Sequence, residues 1–313
     1  MFIIIKPHTN FDFMGKRFMW MGISAVLIIT SIVVFFTHGL NYGVDFTGGI
    51  ELSVMFNDAS VNSQKVREVI KEVKADDIQV QKFSDSKYNE YLIRVKGSEN
   101  SLNQITRDIQ AKLEQRFEKG KYEIRKIDVV GPKVGKELKM SGIYALIYAI
   151  LGIFIYIAMR FDYKFSAGAV VALIHDPLII IGVFAVTRYQ FTLTTVAALL
   201  TVIGYSVNDT VVVYDRIRET MAAQKGTSLY EIVNKAINET LSRTILTSFV
   251  TMLVVVMILI FGGSTLWDFS LALTIGIVVG TYSSIFIAAP IMLYFEELAQ
   301  KKEAAAKKLK TAK

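Results

Sequence analysis

Asp209 and Arg243 are the first residues to which chemistry can be assigned, followed by the adjacent pair His175-Asp176. Asp209, Asp176 and His175 are the only side chains of the Asp, Glu, Lys, Arg or His type inside six long apolar runs. A charge at the centre of a bilayer costs at least ~2.5–3.5 kcal/mol on insertion scales, so such residues usually mark a pathway. Burial favours the neutral acid and a nearby arginine favours the carboxylate. The chemistry implied is uptake and release of a proton at Asp209, with Arg243 deciding which form prevails. By the helical rise, Asp209 lies ~9 Å and Arg243 ~15 Å from the centres of their runs, on the same side. An extended arginine closes that gap by reaching inward. Thr194, Thr201, Asn208 and Asp215 recur every seven residues and form one polar stripe on a helix. Thr247 and Thr251 continue the face that begins at Arg243. Pro177 follows Asp176 and removes one helical donor. Other readings remain open: Arg243 as a flanking topology signal, His175 as a packed ring, and either aspartate as a paired structural carboxylate. Gly276-x-x-x-Gly280-x-x-x-Ser284 reads as helix packing.

The elements that must hold these residues follow from composition. The chain has 313 residues, 52% of them apolar, with 35 basic and 28 acidic side chains and no cysteine. Mean hydropathy is +0.42, too high for a soluble domain of this length. Apolar runs at 18–37, 140–159, 165–187, 191–214, 244–263 and 269–295 are each long enough to cross a hydrocarbon core. The first lacks the short core and Ala-x-Ala site of a signal peptide and reads as a retained anchor. Three distant histidines and the absence of cysteine offer no metal-ligand spacing, so neither a metal nor a cofactor is expected.

Basic residues orient the spans. The N-terminal arm, the 2–3 and 4–5 links and the tail carry 16 Lys and Arg, whereas the opposite short loops carry only Arg188. Lys- and Arg-rich short loops stay cytoplasmic, which places both termini inside. Those arms face anionic lipid, and nothing resembles a nucleic-acid patch. Segment 39–139 has its own periodicities. Strands are predicted at Ile50–Phe56, Ile78–Phe83, Tyr91–Val95 and Tyr122–Val130. One helix carries Val66, Val69, Ile70 and Val73; the other opens on a Ser101-x-x-Gln104 capping box. The order βαββαβ predicts a ferredoxin-like α+β domain outside the membrane, with no conspicuous charged cluster. The expected layout is a cytoplasmic arm at 1–17, a first span at 18–38, the extracytoplasmic domain at 39–139, five further helices within 140–295 and a basic cytoplasmic tail at 296–313. The expected protein is thus a six-helix polytopic membrane protein.

Several stretches resemble the SecF family, the smaller subunit of the SecDF protein-export factor in the resistance-nodulation-division superfamily. They are Val44-Asp-Phe-Thr-Gly-Gly49, Val130-Gly-Pro-x-Val-Gly-x-Glu-Leu138, Gly204 to Glu219, Arg243 to Ser248 and Phe261-Gly-Gly263. The resemblance implies a proton-driven aid to secretion, working with a SecD partner beside the SecYEG channel on translocating polypeptide. It maps the family's fourth-span aspartate and fifth-span arginine onto Asp209 and Arg243. Related drug exporters often carry two adjacent aspartates where this chain has Asn208-Asp209, so a second carboxylate is expected from the partner. Gly131, Pro132 and Gly135 are candidate hinge residues between the outer domain and the second span. Two other functions compete with it: a half-sized proton-coupled exporter of lipids or drugs, and an intramembrane aspartyl protease using Asp176 and Asp209. The second lacks that class's Gly-x-Gly-Asp motif.

Overall fold

The computed structural model describes residues 9–311 apart from 59, 74, 84–88, 97–100, 118–119, 162 and 225. Parts of the arm and tail, 1–8 and 312–313, therefore lie outside the described residues. Helix α1 spans Arg17–His38 and leads into the short strand β1, Asn41–Tyr42, and a single turn α2, Val44–Thr47. The small domain follows as β2 (Gly49–Phe56), α3 (Ser63–Lys71), β3 (Asp76–Lys82), β4 (Asn89–Lys96), α4 (Leu102–Arg116) and β5 (Tyr122–Val130). The rest is helical: α5 (Pro132–Arg160), α6 (Tyr163–Thr187), then strand β6 (Gln190–Phe191), α7 (Leu193–Ala223), α8 (Leu229–Phe261) and α9 (Gly263–Ser283). A π-helical turn at Ser284–Ala288 joins α9 to α10, Ala289–Thr311. Among the described residues, six helical segments are long and apolar enough to cross a membrane.

The domain's four strands form one antiparallel sheet in the order β3-β4-β2-β5. Alternation along β2 and β4 sends Ile50, Leu52, Val54, Phe56, Tyr91 and Ile93 into a core closed by Ile70 of α3 and Ile109 and Leu113 of α4. The same alternation turns Glu51, Ser53, Glu90 and Arg94 to the helix-free face. Asn62 caps α3 by accepting from the Lys65 amide at 2.9 Å. The expected capping box at α4 does not form, because the Gln104 amide reaches forward to Asp108 at 2.8 Å.

Sheet and bundle meet through close backbone packing. Gly48 and Gly49 have φ of +74° and +127°, conformations that L side chains rarely adopt. A Cβ on Gly48 would lie 2.6 Å from Pro132 Cα, and one on Gly49 would lie 2.7 Å from the Val95 carbonyl oxygen. Gly135 approaches the Gly48 amide at the same contact. Strand β5 passes into α5 through Gly131 alone, with Pro132 in the first turn, where a missing N–H costs nothing. Strands β1 and β6 pair in parallel, tying the segment after α1 to the α6–α7 turn. Arg188 is thereby engaged, donating to the His38 and Gly39 carbonyls at 2.9 and 2.8 Å.

Helices α6, α7 and α9 form the interior of the bundle, while α1, α5 and α8 are largely uncovered. Gly276 and Gly280 let α9 lie against α7: an added Cβ would fall 2.1 Å from Val202 Cγ2 and 3.1 Å from Ser206 Cβ, respectively. Gly152 on exposed α5 has no atom within 4 Å of an added Cβ. Gly276→Ala should therefore lower the thermal unfolding midpoint of the purified protein. Gly152→Ala should leave it unchanged or raise it, since alanine gains roughly 0.5–1 kcal/mol over glycine in a helix.

Candidate functional site in the helix bundle

Asp176 sits on α6 fully buried, and each of its oxygens is engaged. Oδ1 lies 2.8 Å from His175 Nδ1. Oδ2 accepts from Ser206 of α7 at 2.5 Å and from Ser283, at the end of α9, at 3.0 Å. His175 Nε2 is 3.1 Å from Ser24 of α1, which contacts the Tyr282 hydroxyl at 2.7 Å. Tyr282 in turn donates to the Trp20 carbonyl at 2.6 Å. One carboxyl group thus joins α1, α6, α7 and α9 in the middle of the bundle. Local sequence makes room for this. Pro177 removes a helical N–H beside Asp176, and the π turn begins directly after Ser283. The turn's Ala288 carbonyl is taken by the Tyr214 hydroxyl at 3.0 Å.

Asp209 is different. It is buried at 3% relative exposure, and its Oδ2 has no hydrogen-bond partner. The Thr244 hydroxyl on α8 is likewise buried without one. Arg243 is exposed and close enough to act on Asp209 through its charge, but among the described residues it forms no ion pair within 4 Å of a carboxylate. Asn208 and Thr247 are exposed too, and the Thr247 hydroxyl donates to the Arg243 and Thr244 carbonyls, 3.0 Å from each. The stripe of sevens faces outward, with Thr194, Thr201 and Asn208 all exposed. Asp215, at the C-terminal end of the stripe, pairs with Arg218 at 3.0 Å and Arg160 at 3.4 Å. Arg216 instead pairs with Glu239 and Glu219. The structure thus brings His175 and Asp176 together and leaves Asp209, Asn208, Arg243 and Thr247 along an uncovered polar seam of α7 and α8. Among the described residues no hydrogen bond joins Asp176 to Asp209.

A second polar cluster, at the foot of the small domain, was not expected from the sequence. Glu90 has no exposed surface; its Oε1 accepts from Ser53 and, at 2.5 Å, from Ser264 at the start of α9. Its Oε2 lies 3.6 Å from Arg125. Glu51, 4% exposed, accepts from Arg94 at 2.8 Å and from Gln190 of β6 at 2.6 Å. Burial is the largest single influence on the Lys126 ammonium beside it and works against the charge, but the 2.5 Å bond to Asp128 and the charges of Asp128, Glu51 and Asp45 together leave its pKa raised. A cavity of about 170 Å³ opens here between Glu51, Arg94, Lys126, Gln190, Trp267 and Asp268. Glu51 and Glu90 each lie within a strand, and only their positions on its helix-free face, read against the pleat, signal this role.

A bundle with ionisable groups in its core and a small α+β domain clasped to one end defines a polytopic membrane protein of transport type. The Protein export membrane protein SecD/SecF, C-terminal, family matches residues 109–298, and the SecD/SecF GG motif matches 33–59, which contain Gly48-Gly49. The chain belongs to the SecD/SecF family of protein export membrane proteins. It is 42% identical to the protein translocase subunit SecF of Calditerrivibrio nitroreducens, over 94% of this chain and 97% of that one. Against the SecF subunit of Magnetococcus marinus the identity is 44%, over 96% and 97%. A longer Brucella abortus relative, the protein translocase subunit SecDF, is 40% identical over 93% of this chain and 38% of its own length. The crystal structure of SecDF from Thermus thermophilus, described as a translocon-associated membrane protein, superposes with a TM-score of 0.81 at 32% identity. That match covers 94% of this chain, which spans 40% of the SecDF chain.

Ser264 carries a specific expectation. Ser264→Ala removes one bond to a buried carboxylate, worth about 1.5–3 kcal/mol. Amide exchange in β2 and β4 should quicken, whereas the exposed control Gln64→Ala should leave it unchanged.

Proposed function

We propose that this chain is the SecF-type half of a membrane machine that uses the proton-motive force to assist protein secretion, with a SecD-type subunit against its polar seam. The observation that carries this reading is the exposure of Asn208, Arg243 and Thr247 around the buried, unpartnered Asp209 oxygen. Polar groups at membrane depth face protein or water, not lipid. The longer SecDF relatives support a partner that supplies that covering surface. Asp209 is the proton carrier and Arg243 its switch, with Asn208 and Thr247 lining the path and His175-Asp176 as its inner station. No cofactor is required.

Both termini are cytoplasmic, and segment 39–139 is an extracytoplasmic ferredoxin-like domain; the antiparallel strand order supports that description. The domain meets emerging polypeptide beside a SecYEG channel, while the basic arms rest on anionic lipid. Moving one charge through 100 mV is worth ~2.3 kcal/mol. At ~1.4 kcal/mol per decade this biases a two-state equilibrium roughly forty-fold. Helix α9 is the natural transmission element, because it holds Glu90 through Ser264 at one end and Asp176 through Ser283 at the other. Gly131, Pro132 and Gly135 form the joint about which the domain turns, packed on Gly48.

The test is export of a reporter protein into inverted vesicles, with and without a proton gradient, at matched protein levels. Asp209→Asn keeps shape and much of the hydrogen bonding but cannot exchange a proton near neutral pH. It should insert and assemble normally yet lose gradient-dependent stimulation, while Asp215→Asn stays close to wild type. Full stimulation in an assembled Asp209→Asn complex makes Asp209 structural. Arg243→Lys should impair coupling, because an ammonium cannot reproduce the planar fork. For orientation, a reporter fused within 57–63 should be exported and one within 222–228 retained; reversed labelling overturns the assignment.

A further inference from the structure

The hydrogen bonds that end at His175 run in one direction only. A backbone carbonyl accepts and never donates, so the Trp20–Tyr282 contact at 2.6 Å consumes the one Tyr282 hydroxyl proton. The 2.7 Å contact between Tyr282 and Ser24 must then use the Ser24 proton, with Tyr282 accepting. Ser24 has no second proton, so the 3.1 Å contact to His175 is filled only when Nε2–H donates to Ser24. With Nε2 committed, a neutral ring would present a bare Nδ1 lone pair to Asp176 Oδ1 at 2.8 Å. Two acceptors at that distance repel, so a further proton has to lie between them. A proton on Asp176 Oδ2 could not fill that gap, because Oδ2 faces the hydroxyls of Ser206 and Ser283, the latter also 3.1 Å from the Gly280 carbonyl.

We infer that the buried His175–Asp176 pair is a proton-binding site that holds one resident proton, and that Tyr282 and Ser24 are the positioning residues that keep it loaded. The proton is shared along Nδ1···Oδ1 as imidazolium with carboxylate or as imidazole with carboxylic acid; in both forms the pair is neutral overall. The pair is buried, with His175 2% exposed and Asp176 not at all, and the described residues bring no other charged side chain to it. On the α1 side the chain ends at the Trp20 carbonyl and conducts no further. The exit is therefore through Asp176 Oδ2 and Ser206, one helical turn before Asp209 on α7. That last assignment rests on the proposed coupling role of Asp209, whereas the resident proton rests on donor counting alone.

The two can be separated by a measurement that does not involve secretion. The full-length protein, labelled with ¹⁵N-histidine and ¹³C-aspartate and held in lipid bilayers at neutral pH, contains only His8, His38 and His175. His8→Gln and His38→Gln isolate the signal of His175. The expected spectrum shows a protonated Nε2 together with either a protonated Nδ1 or a neutral Asp176 carboxyl. A bare Nε2, or a bare Nδ1 facing an ionised Asp176, overturns the inference. Tyr282→Phe frees the Ser24 hydroxyl to turn toward Nε2. His175 should then convert to the Nδ1–H tautomer with a bare Nε2, and an unchanged spectrum in this variant refutes the positioning role of Tyr282 whatever the secretion assay gives.

Discussion

The bundle is organised around a rule that lipid enforces: a carboxyl group at membrane depth must be satisfied by protein. Asp176 meets it with four partners' worth of geometry, drawing His175, Ser206, Ser283 and, through the imidazole, Ser24 to one point. Ser206, Ser283 and Ser24 tie α7, α9 and α1 to α6, so helix packing and hydrogen bonding are the same problem there. The glycines serve this convergence. Without Gly276 and Gly280, α9 could not lie close enough to α7 for Ser206 and Ser283 to share one oxygen. The π turn after Ser283 accommodates the same demand by shifting the register of the last helix, as π turns at functional positions often do.

Asp209 lies one turn beyond Ser206 and departs from that rule, and the departure separates the two halves of the account. The interior is closed and saturated, with its polar groups spent on one another. The α7–α8 face is open, with a buried oxygen and a buried hydroxyl both lacking partners and an exposed arginine that acts on Asp209 through its charge without an ion pair. A seam of this kind is complete only against another surface. The similarity to longer SecDF chains, of which this chain spans 40%, agrees with an incomplete half. The joint at the domain's foot follows the same logic outside the core, since Glu51 and Glu90 are buried only because Gln190 and Ser264 from the bundle meet them.

Much of this was legible in the residues. Apolar length located the six long helices, and short apolar segments, with period-two alternation at Ile78–Phe83, located the four strands of the small domain, because both patterns report burial directly. The isolation of His175, Asp176 and Asp209 among apolar neighbours marked the polar interior. Helix ends were less legible: α7 continues to Ala223 and α8 begins at Leu229, well outside the apolar runs, because charged helix beyond the membrane leaves no hydropathy signal. The exposure of Arg243 was hidden for a related reason, since spacing gives depth and face but not whether a neighbour in the same chain covers that face. The Glu51–Glu90 cluster escaped because its partners lie 139 and 174 residues away, and pairing over such separations is fixed by topology. Tyr282 and Ser24 were overlooked because hydroxyls on apolar helices look like packing residues until a donor is counted against an acceptor.

The central claim is that the Asn208–Arg243 seam is an interface, and the absence of cysteine from the chain makes it directly measurable. A single cysteine at exposed Thr201, on the same stripe, can be oxidised in native membranes against single cysteines on a co-expressed SecD-type subunit. The account predicts a disulfide to that subunit and protection of the thiol from a lipid-soluble alkylating reagent. Rapid alkylation from the lipid phase, with no disulfide to any partner position, would contradict it.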